Sequence, residues 1–283
     1  MTPAPLRVPG KPGPLTLLGK LTPRDRAILH TLADHDVLTT SQIAELAFGS
    51  LRHAQTRLAA LARLAVIGRF RATLPAGSEP WKYYLAPTGA ALIAAERGQP
   101  PPNSRLVERR ALALAASQRL AHTLGVNGFF TALAAAARVS GGTCTLAAWH
   151  SERRCAADLG DIVRPDGYGA WACGGRVTSF YLEYDTGTET TARAAAKLAG
   201  YRDLAVSTGA PLLVLYWLPA PGRETGLRAA LARAGAAGVL AATGTPALGT
   251  PAGPVWLPVG AGRRVPLASL TPLAAPQIRR GVN

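Results

Sequence analysis

The chain of 283 residues is long enough for two domains of ordinary size, and its hydrophobic fraction of 48% allows a sizeable core. The net charge of +15 favours nucleic acid or another anionic surface as a partner, although a composition rich in Arg and Ala would also produce it. Three cysteines without CxxC spacing argue against a disulfide framework and against a zinc site. The sequence contains no run of about 18 apolar residues, so we expect no membrane-spanning helix.

The N-terminal residues 1–19 are rich in Pro and Gly and have no periodicity, which predicts a flexible tail. They contain no apolar segment of the kind that a secretory signal requires. We therefore expect a cytoplasmic protein that does not interact with a membrane.

Three helices are predicted after this tail. Thr22 and Pro23 are a good N-cap and first helical residue, Thr39 or Ser41 caps the second helix, and Gly49 separates it from the third. Two strand-like runs, 67–73 and 81–85, then flank a loop with Pro and Gly, which indicates a hairpin. A fourth helix begins at Pro87.

Three helices followed by a hairpin and a helix are typical of a winged helix-turn-helix. In that motif the third helix enters the major groove and the hairpin contacts the DNA backbone. We assign residues 20–98 to such a domain, with double-stranded DNA as its partner. The candidate contacts are polar residues of the third helix and the hairpin: Arg52, Gln55, Arg57, Arg69, Arg71 and Lys82. Alternatively, these residues form an ordinary solvated face, or the domain binds protein.

Residues 99–104 form a Pro-rich linker, residues 105–275 a second domain, and residues 276–283 a C-terminal tail. Residues 104–124 and 126–139 are predicted to form two Ala-rich helices. His122 lies near a helix end, and we interpret it as a structural hydrogen-bonding residue rather than a ligand.

A strand, a Gly-Gly turn, a second strand and a helix are predicted between residues 161 and 207. Side chains alternate along a strand, so Phe180, Leu182 and Tyr184 should share one face and Tyr181, Glu183 and Asp185 the other. Thr188 is the expected cap of a helix from Glu189 to about Ser207. The apolar run 211–218 then completes a βαβ unit, which makes the sheet partly parallel. A late strand is expected at residues 255–257.

Carboxylates concentrate around this hairpin. Asp166 lies just before its first strand, while Glu183 and Asp185 share one face of its second strand. Converging carboxylates are costly unless they are solvated or hold a cation, and oxygen ligands suit Mg²⁺. We predict that Asp166 and Glu183 bind magnesium. The alternative is a Pro-Asp-Gly turn beside an acid on an edge strand.

Pro165-Asp166, followed after 16 residues by Glu183-Tyr184-Asp185, resembles the PD-(D/E)xK nuclease core. The resemblance implies a restriction-endonuclease-like mixed sheet flanked by helices, in which the two acids hold magnesium and a lysine orients water. Asp185 stands where the motif has that lysine, and Lys197 is the candidate replacement. The candidate catalytic residues are Asp166, Glu183, Asp185 and Lys197. The expected fold class is α/β, or α+β over the whole chain.

The wider pattern resembles the replication-relaxation family of plasmids and mobile elements. Its features are a winged helix, a helix containing His122, Arg-Pro-Asp-Gly, and a Glu-x-Asp-x-Gly-Thr-Glu run from Glu183 to Glu189. The resemblance implies a DNA-binding protein linked to plasmid replication and DNA relaxation. Three functions stay open: a magnesium-dependent DNA nickase or nuclease, a non-catalytic replication or transfer accessory protein with a degenerate nuclease-like fold, and a winged-helix transcriptional regulator. Further partners would be other plasmid replication or transfer proteins.

Overall fold

A computed structural model describes residues 19–71, 79–235 and 237–271. The chain divides into two compact units, Met1–Ser117 and Gln118–Asn283. The fold class is mixed α/β, as the sequence predicts. The predicted tails, apart from Gly19, lie outside the described residues.

The first unit combines helices with a three-stranded antiparallel sheet whose strand order is β1-β3-β2. Its elements in chain order are α1 (Pro23–His35), β1 (Val37–Thr39), α2 (Thr40–Ala47), α3 (Leu51–Arg63), β2 (Ile67–Phe70), β3 (Lys82–Leu85), α4 (Pro87–Glu96) and α5 (Ser104–Ala115). The predicted helices and hairpin are present. The sequence does not predict β1, because a strand of three residues is too short to show a period.

Reciprocal hydrogen bonds fix the starts of the first two helices. The Thr22 hydroxyl accepts from the Asp25 N–H, and the Asp25 carboxylate accepts from the Thr22 N–H. Thr39 and Gln42 make the same pair of contacts at α2. Each pair satisfies N–H groups that a helix start leaves without intrahelical acceptors, and both predicted caps are confirmed.

The division between the units falls after Ser117, whereas the sequence predicts a linker at residues 99–104. Helix α5 follows that Pro-rich stretch and packs against α4, so it belongs to the first unit. Asn103 caps α5 through its side-chain oxygen, which accepts from the N–H groups of Arg105 and Leu106.

The second unit is built on a six-stranded mixed sheet in the order β4-β5-β6-β7-β8-β9. Its elements are α6 (Leu120–Val139), β4 (Cys144–Ser151), α7 (Glu152–Leu159), β5 (Gly167–Cys173), β6 (Arg176–Tyr184), α8 (Thr191–Ala196), α9 (Leu198–Thr208), β7 (Leu212–Trp217), α10 (Pro221–Ala234), β8 (Val239–Gly244) and β9 (Leu257–Pro258). Strands β6, β7 and β8 are parallel and the other pairs antiparallel, which confirms the predicted βαβ unit.

The two faces of the sheet carry separate apolar cores. Phe180 and Leu182 of β6 pack with Phe129 and Phe130 of α6 on one face. Tyr181 packs on the other face, against the cluster that α8, α9 and α10 supply. The alternation predicted for β6 is therefore confirmed, and it directs Glu183 toward α9.

Four predicted boundaries differ from the structure. The expected break between two helices at Gly125 is wrong, because α6 continues through this residue. The predicted single helix 189–207 is instead α8 and α9, which meet at Lys197. Thr190 rather than Thr188 caps α8, since the Thr188 hydroxyl is hydrogen-bonded to Thr186. The late strand is β9, which begins at Leu257, the last residue of the predicted strand.

The expectation of no disulfide is also wrong. Cys144 of β4 and Cys173 of β5 lie opposite each other in the sheet and form a disulfide, and Cys155 is free and buried. An odd number of cysteines shows that they cannot all be paired. It does not reveal which two cysteines are brought together by the register of the strands.

Helix α6, with 20 residues, is long and apolar enough to cross a membrane by length and composition alone. In the described part of the second unit, its Phe129, Phe130 and Leu133 are buried in the core, as in a central packing helix. The predicted lack of membrane interaction stays a prediction.

Candidate functional site

The candidate site lies where the open end of the β5–β6 hairpin meets α6 and α9. The Asp166 N–H donates to the Leu182 carbonyl at 3.0 Å, and the Tyr184 N–H donates to Asp166 Oδ2 at 2.7 Å. These bonds tie Asp166 to both neighbours of Glu183 in β6. The structure thus brings together the two acids that the sequence predicts as metal ligands.

Glu183 is buried, with 4% of its side chain exposed, and both of its carboxylate oxygens accept hydrogen bonds. Lys197 Nζ donates to Oε2 at 2.6 Å, and the Tyr201 hydroxyl donates to Oε1 at 2.5 Å. Lys197 lies at the junction of α8 and α9, and Tyr201 lies one helical turn later. A lysine from the helix therefore reaches the acid of β6, although the position two residues after that acid is Asp185.

Opposing electrostatic effects act on this ion pair. Burial, reinforced by the charge of Asp166, raises the pKa of Glu183 to about 7. Burial alone would lower the pKa of Lys197, but the charges of Glu183 and Asp166 outweigh it and raise that pKa. The first effect favours a neutral carboxyl and the second a charged ammonium. Since Lys197 and Tyr201 both donate to Glu183, the geometry is that of the ionised pair.

His122 of α6 extends the site on the Asp166 side. Its Nε2 lies 3.0 Å from Asp166 Oδ1, and this hydrogen bond raises the pKa of His122. Its ring also meets the Tyr184 ring edge-to-face, with 5.7 Å between centroids. The sequence interpretation of His122 as a hydrogen-bonding residue agrees with this contact. Its partner Asp166 lies 44 positions away in the chain, so the local sequence pattern could not identify it.

Gly125 lets α6 approach β6 closely enough for His122 to contact Asp166 and Tyr184. A Cβ atom at Gly125 would lie 2.3 Å from Cζ of Tyr184, which is inside van der Waals contact. The spacing of His122 and Gly125 by nearly one helical turn is the sequence signal that could have located this side of the site.

We expect Gly125→Ala to lower the free energy of unfolding by about 1–3 kcal/mol, because the methyl group overpacks against Tyr184. Urea unfolding at constant pH measures the effect. Gly222→Ala in α10 is the matched control, since no atom lies within 4 Å of the Cβ it would add. Equal effects of the two substitutions would contradict the close approach of α6 and β6.

Asp185 makes contacts of a different kind from those of Asp166 and Glu183. Its Oδ1 accepts from the Gly187 N–H at 2.6 Å, and its Oδ2 accepts from Arg223 Nε. Arg223 also donates to the Glu189 carbonyl. Asp185 thus connects the loop after β6 to α10, and its predicted catalytic role stays a prediction.

The replication-relaxation family model matches residues 29–211, which is more than half of the chain. The chain belongs to the replication-relaxation family. The family indicates a function related to the replication of plasmids or mobile elements. The match contains Asp166, Glu183, Lys197 and the groups that contact them, and it ends before β7. Comparison with curated proteins found no match, and neither did comparison with solved structures.

Asp166 and Glu183 are the two carboxylates that the sequence predicts as magnesium ligands, and magnesium binding by this replication-relaxation protein stays a prediction. Among the described residues, no group of three or more His, Cys, Asp or Glu is placed to hold a metal. Magnesium usually takes only one or two carboxylates from a protein, and a carboxylate oxygen that accepts one hydrogen bond retains a second lone pair.

The predicted DNA contacts fall into two groups. Arg52, Gln55, Arg69 and Arg71 are exposed. The guanidinium groups of Arg69 and Arg71 each lie 4.2 Å from the centroid of the Trp81 ring.

The other two predicted contacts are paired within the chain. Arg57 donates to both oxygens of Asp25, at 2.8 and 2.5 Å, and Lys82 pairs with Glu79. The DNA-binding role of all six residues stays a prediction.

Proposed function

We propose that the first unit of this replication-relaxation protein binds double-stranded DNA and that the second hydrolyses a phosphodiester bond with Mg²⁺. The hydrogen bond from Lys197 to Glu183 is the observation that supports hydrolysis. It supplies, from a neighbouring helix, the lysine that a PD-(D/E)xK site requires. The succession of α1 to α4 with a three-stranded sheet supports a winged helix-turn-helix in the first unit. The mixed sheet with helices on both faces supports a restriction-endonuclease-like second unit.

In this proposal, Asp166 and Glu183 hold the metal, and Lys197 orients water and balances negative charge at the phosphate. A bound magnesium would activate that water and stabilise the developing charge. His122 and Tyr201 each donate to one of the two acids and fix its orientation. Since Glu183 is buried, its contact with Lys197 is weakly screened by solvent.

The test is nicking of supercoiled plasmid DNA by the full chain with Mg²⁺, with EDTA as the metal-free control. Metal-dependent conversion to open circles is the expected result. The absence of cleavage in Mg²⁺ and Mn²⁺, together with intact DNA binding, would favour the accessory-protein function.

One observation favours that second function, a non-catalytic replication or transfer protein. Each carboxylate oxygen of Asp166 and Glu183 already has a polar partner within the chain, as expected for a structural network. Asp185 also replaces the lysine of the usual motif.

Metal binding distinguishes the two functions without requiring turnover. By isothermal titration calorimetry, we expect the wild-type chain to bind Mg²⁺ or Mn²⁺ at up to millimolar concentration and Asp166→Ala to lose this binding. Magnesium is usually held by one or two carboxylates, so the loss of Asp166 would leave Glu183 as the single proposed ligand. Equal heats from both proteins, or none from either, would contradict the proposed ligands.

A further inference from the structure

The first unit contains a pocket that the predicted DNA contacts do not explain. Its volume is about 420 Å³, and we refer to it as the Arg24 pocket. Six residues from α1, α2 and α3 or their ends line it: Thr22, Arg24, Asp25, Phe48, His53 and Arg57. Of these, only Arg57 is among the residues that the sequence assigns to DNA.

Basic groups in this pocket are held in place by other side chains. The Arg24 guanidinium lies over the Phe48 ring, 5.2 Å from its centroid. Arg57 is fixed by its two bonds to Asp25 and by a third to the Lys20 carbonyl at 3.1 Å. His53 lies one helical turn before Arg57 on α3 and is exposed.

The buried acid of the pocket is neutralised within the chain. Asp25, with 1% of its side chain exposed, pairs with Arg57 and accepts from the Thr22 N–H and hydroxyl, each at 2.7 Å. The hydrogen bonds from Arg57 and Thr22 outweigh burial and lower the pKa of Asp25. The charge of Arg57 is therefore matched, and Arg24 leaves the pocket with a net positive charge.

We propose that the Arg24 pocket binds a phosphate group of the DNA backbone and so sets the position of the first unit on the duplex. Guanidinium groups held in fixed orientation match the oxygens of a phosphate, and phosphate contacts determine the register of a protein on DNA. His53 adds a hydrogen-bond donor on the α3 side. The inference rests on the proposed DNA binding and is independent of cleavage. A free phosphate compound has the same chemistry, so the test separates the two sources.

The test compares the binding of two unrelated labelled duplexes by fluorescence anisotropy over a range of salt concentrations. For the double variant Arg24→Ala/His53→Ala, we expect weaker binding to both duplexes. The slope of log K against log salt concentration should be smaller in magnitude by about 1 than that of the wild-type chain. Arg63→Ala, at the exposed end of α3 and outside the pocket, is the control for loss of one positive charge. Arg24→Glu gives a second variant that leaves the Asp25–Arg57 pair intact.

Each outcome has a separate meaning. If the wild-type chain does not bind DNA, the proposed function fails together with this inference. If the wild-type chain binds DNA and both pocket variants keep its affinity and salt slope, only the pocket assignment is overturned. Calorimetry with inorganic phosphate and dAMP examines the other source. Arg24-dependent binding of either compound, with duplex binding unaffected, would also overturn the backbone assignment.

Discussion

Replacement of Asp166 by Asn or of Glu183 by Gln should abolish Mg²⁺-dependent nicking and leave duplex binding within about twofold of the wild-type value. Each change keeps the size of the side chain and removes the charge that the metal requires. Removal of one preorganised electrostatic group costs on the order of 100- to 1,000-fold in rate, which sets the minimum loss expected. Initial nicking rates at saturating Mg²⁺ and DNA provide the measurement.

Glu189→Gln is the matched control for this pair of substitutions. Glu189 is a partly exposed acid in the same segment, and its carboxylate pairs with Arg193 rather than Lys197. It should retain the wild-type rate. If Asp166→Asn or Glu183→Gln cleaves at the wild-type rate, the carboxylate that was replaced does not hold the metal.

The second large effect concerns stability and pH in metal-free protein. The folded-state pKa of Glu183 is raised to about 7 from an ordinary value of 4.5, so the folded chain binds this proton more tightly than the unfolded chain does. The stability contributed by this proton is fully present below about pH 4.5 and is lost as the pH rises through about 7.

Urea unfolding in EDTA at pH 5 and pH 8 measures this effect. Wild-type protein should lose free energy of unfolding between the two pH values, and Glu183→Gln should lose clearly less. His122 contributes with the same sign, because its hydrogen bond to Asp166 raises its pKa in the folded state. Its contribution remains in the Glu183→Gln protein. Equal pH dependence in both proteins would contradict a buried, proton-binding Glu183.

The sequence predicts features that depend on nearby residues. The caps at Thr22 and Thr39 need only three residues of context, and the alternation along β6 needs only the period of a strand. That alternation places Glu183 and Tyr181 on the face opposite Phe180, as the structure shows. The convergence of Asp166 and Glu183 follows from the hairpin that joins them.

Features that depend on distant residues were missed. The disulfide follows from the register of β4 against β5, and the contact between His122 and Asp166 follows from the packing of α6 on β6. Neither leaves a local pattern in the chain. The division of one predicted helix at Lys197 was missed for a related reason, since residues 192–199 around it are all strong helix formers.

We propose that Lys197 completes a metal-dependent site with Asp166 and Glu183, and the nicking rate of Lys197→Met tests this role most directly. Arg193, with 78% of its side chain exposed one turn earlier, provides the control Arg193→Met. We expect that Lys197→Met binds duplex DNA normally and nicks at least about 100-fold more slowly, while Arg193→Met nicks at the wild-type rate. A Lys197→Met protein that nicks as fast as wild type would contradict it.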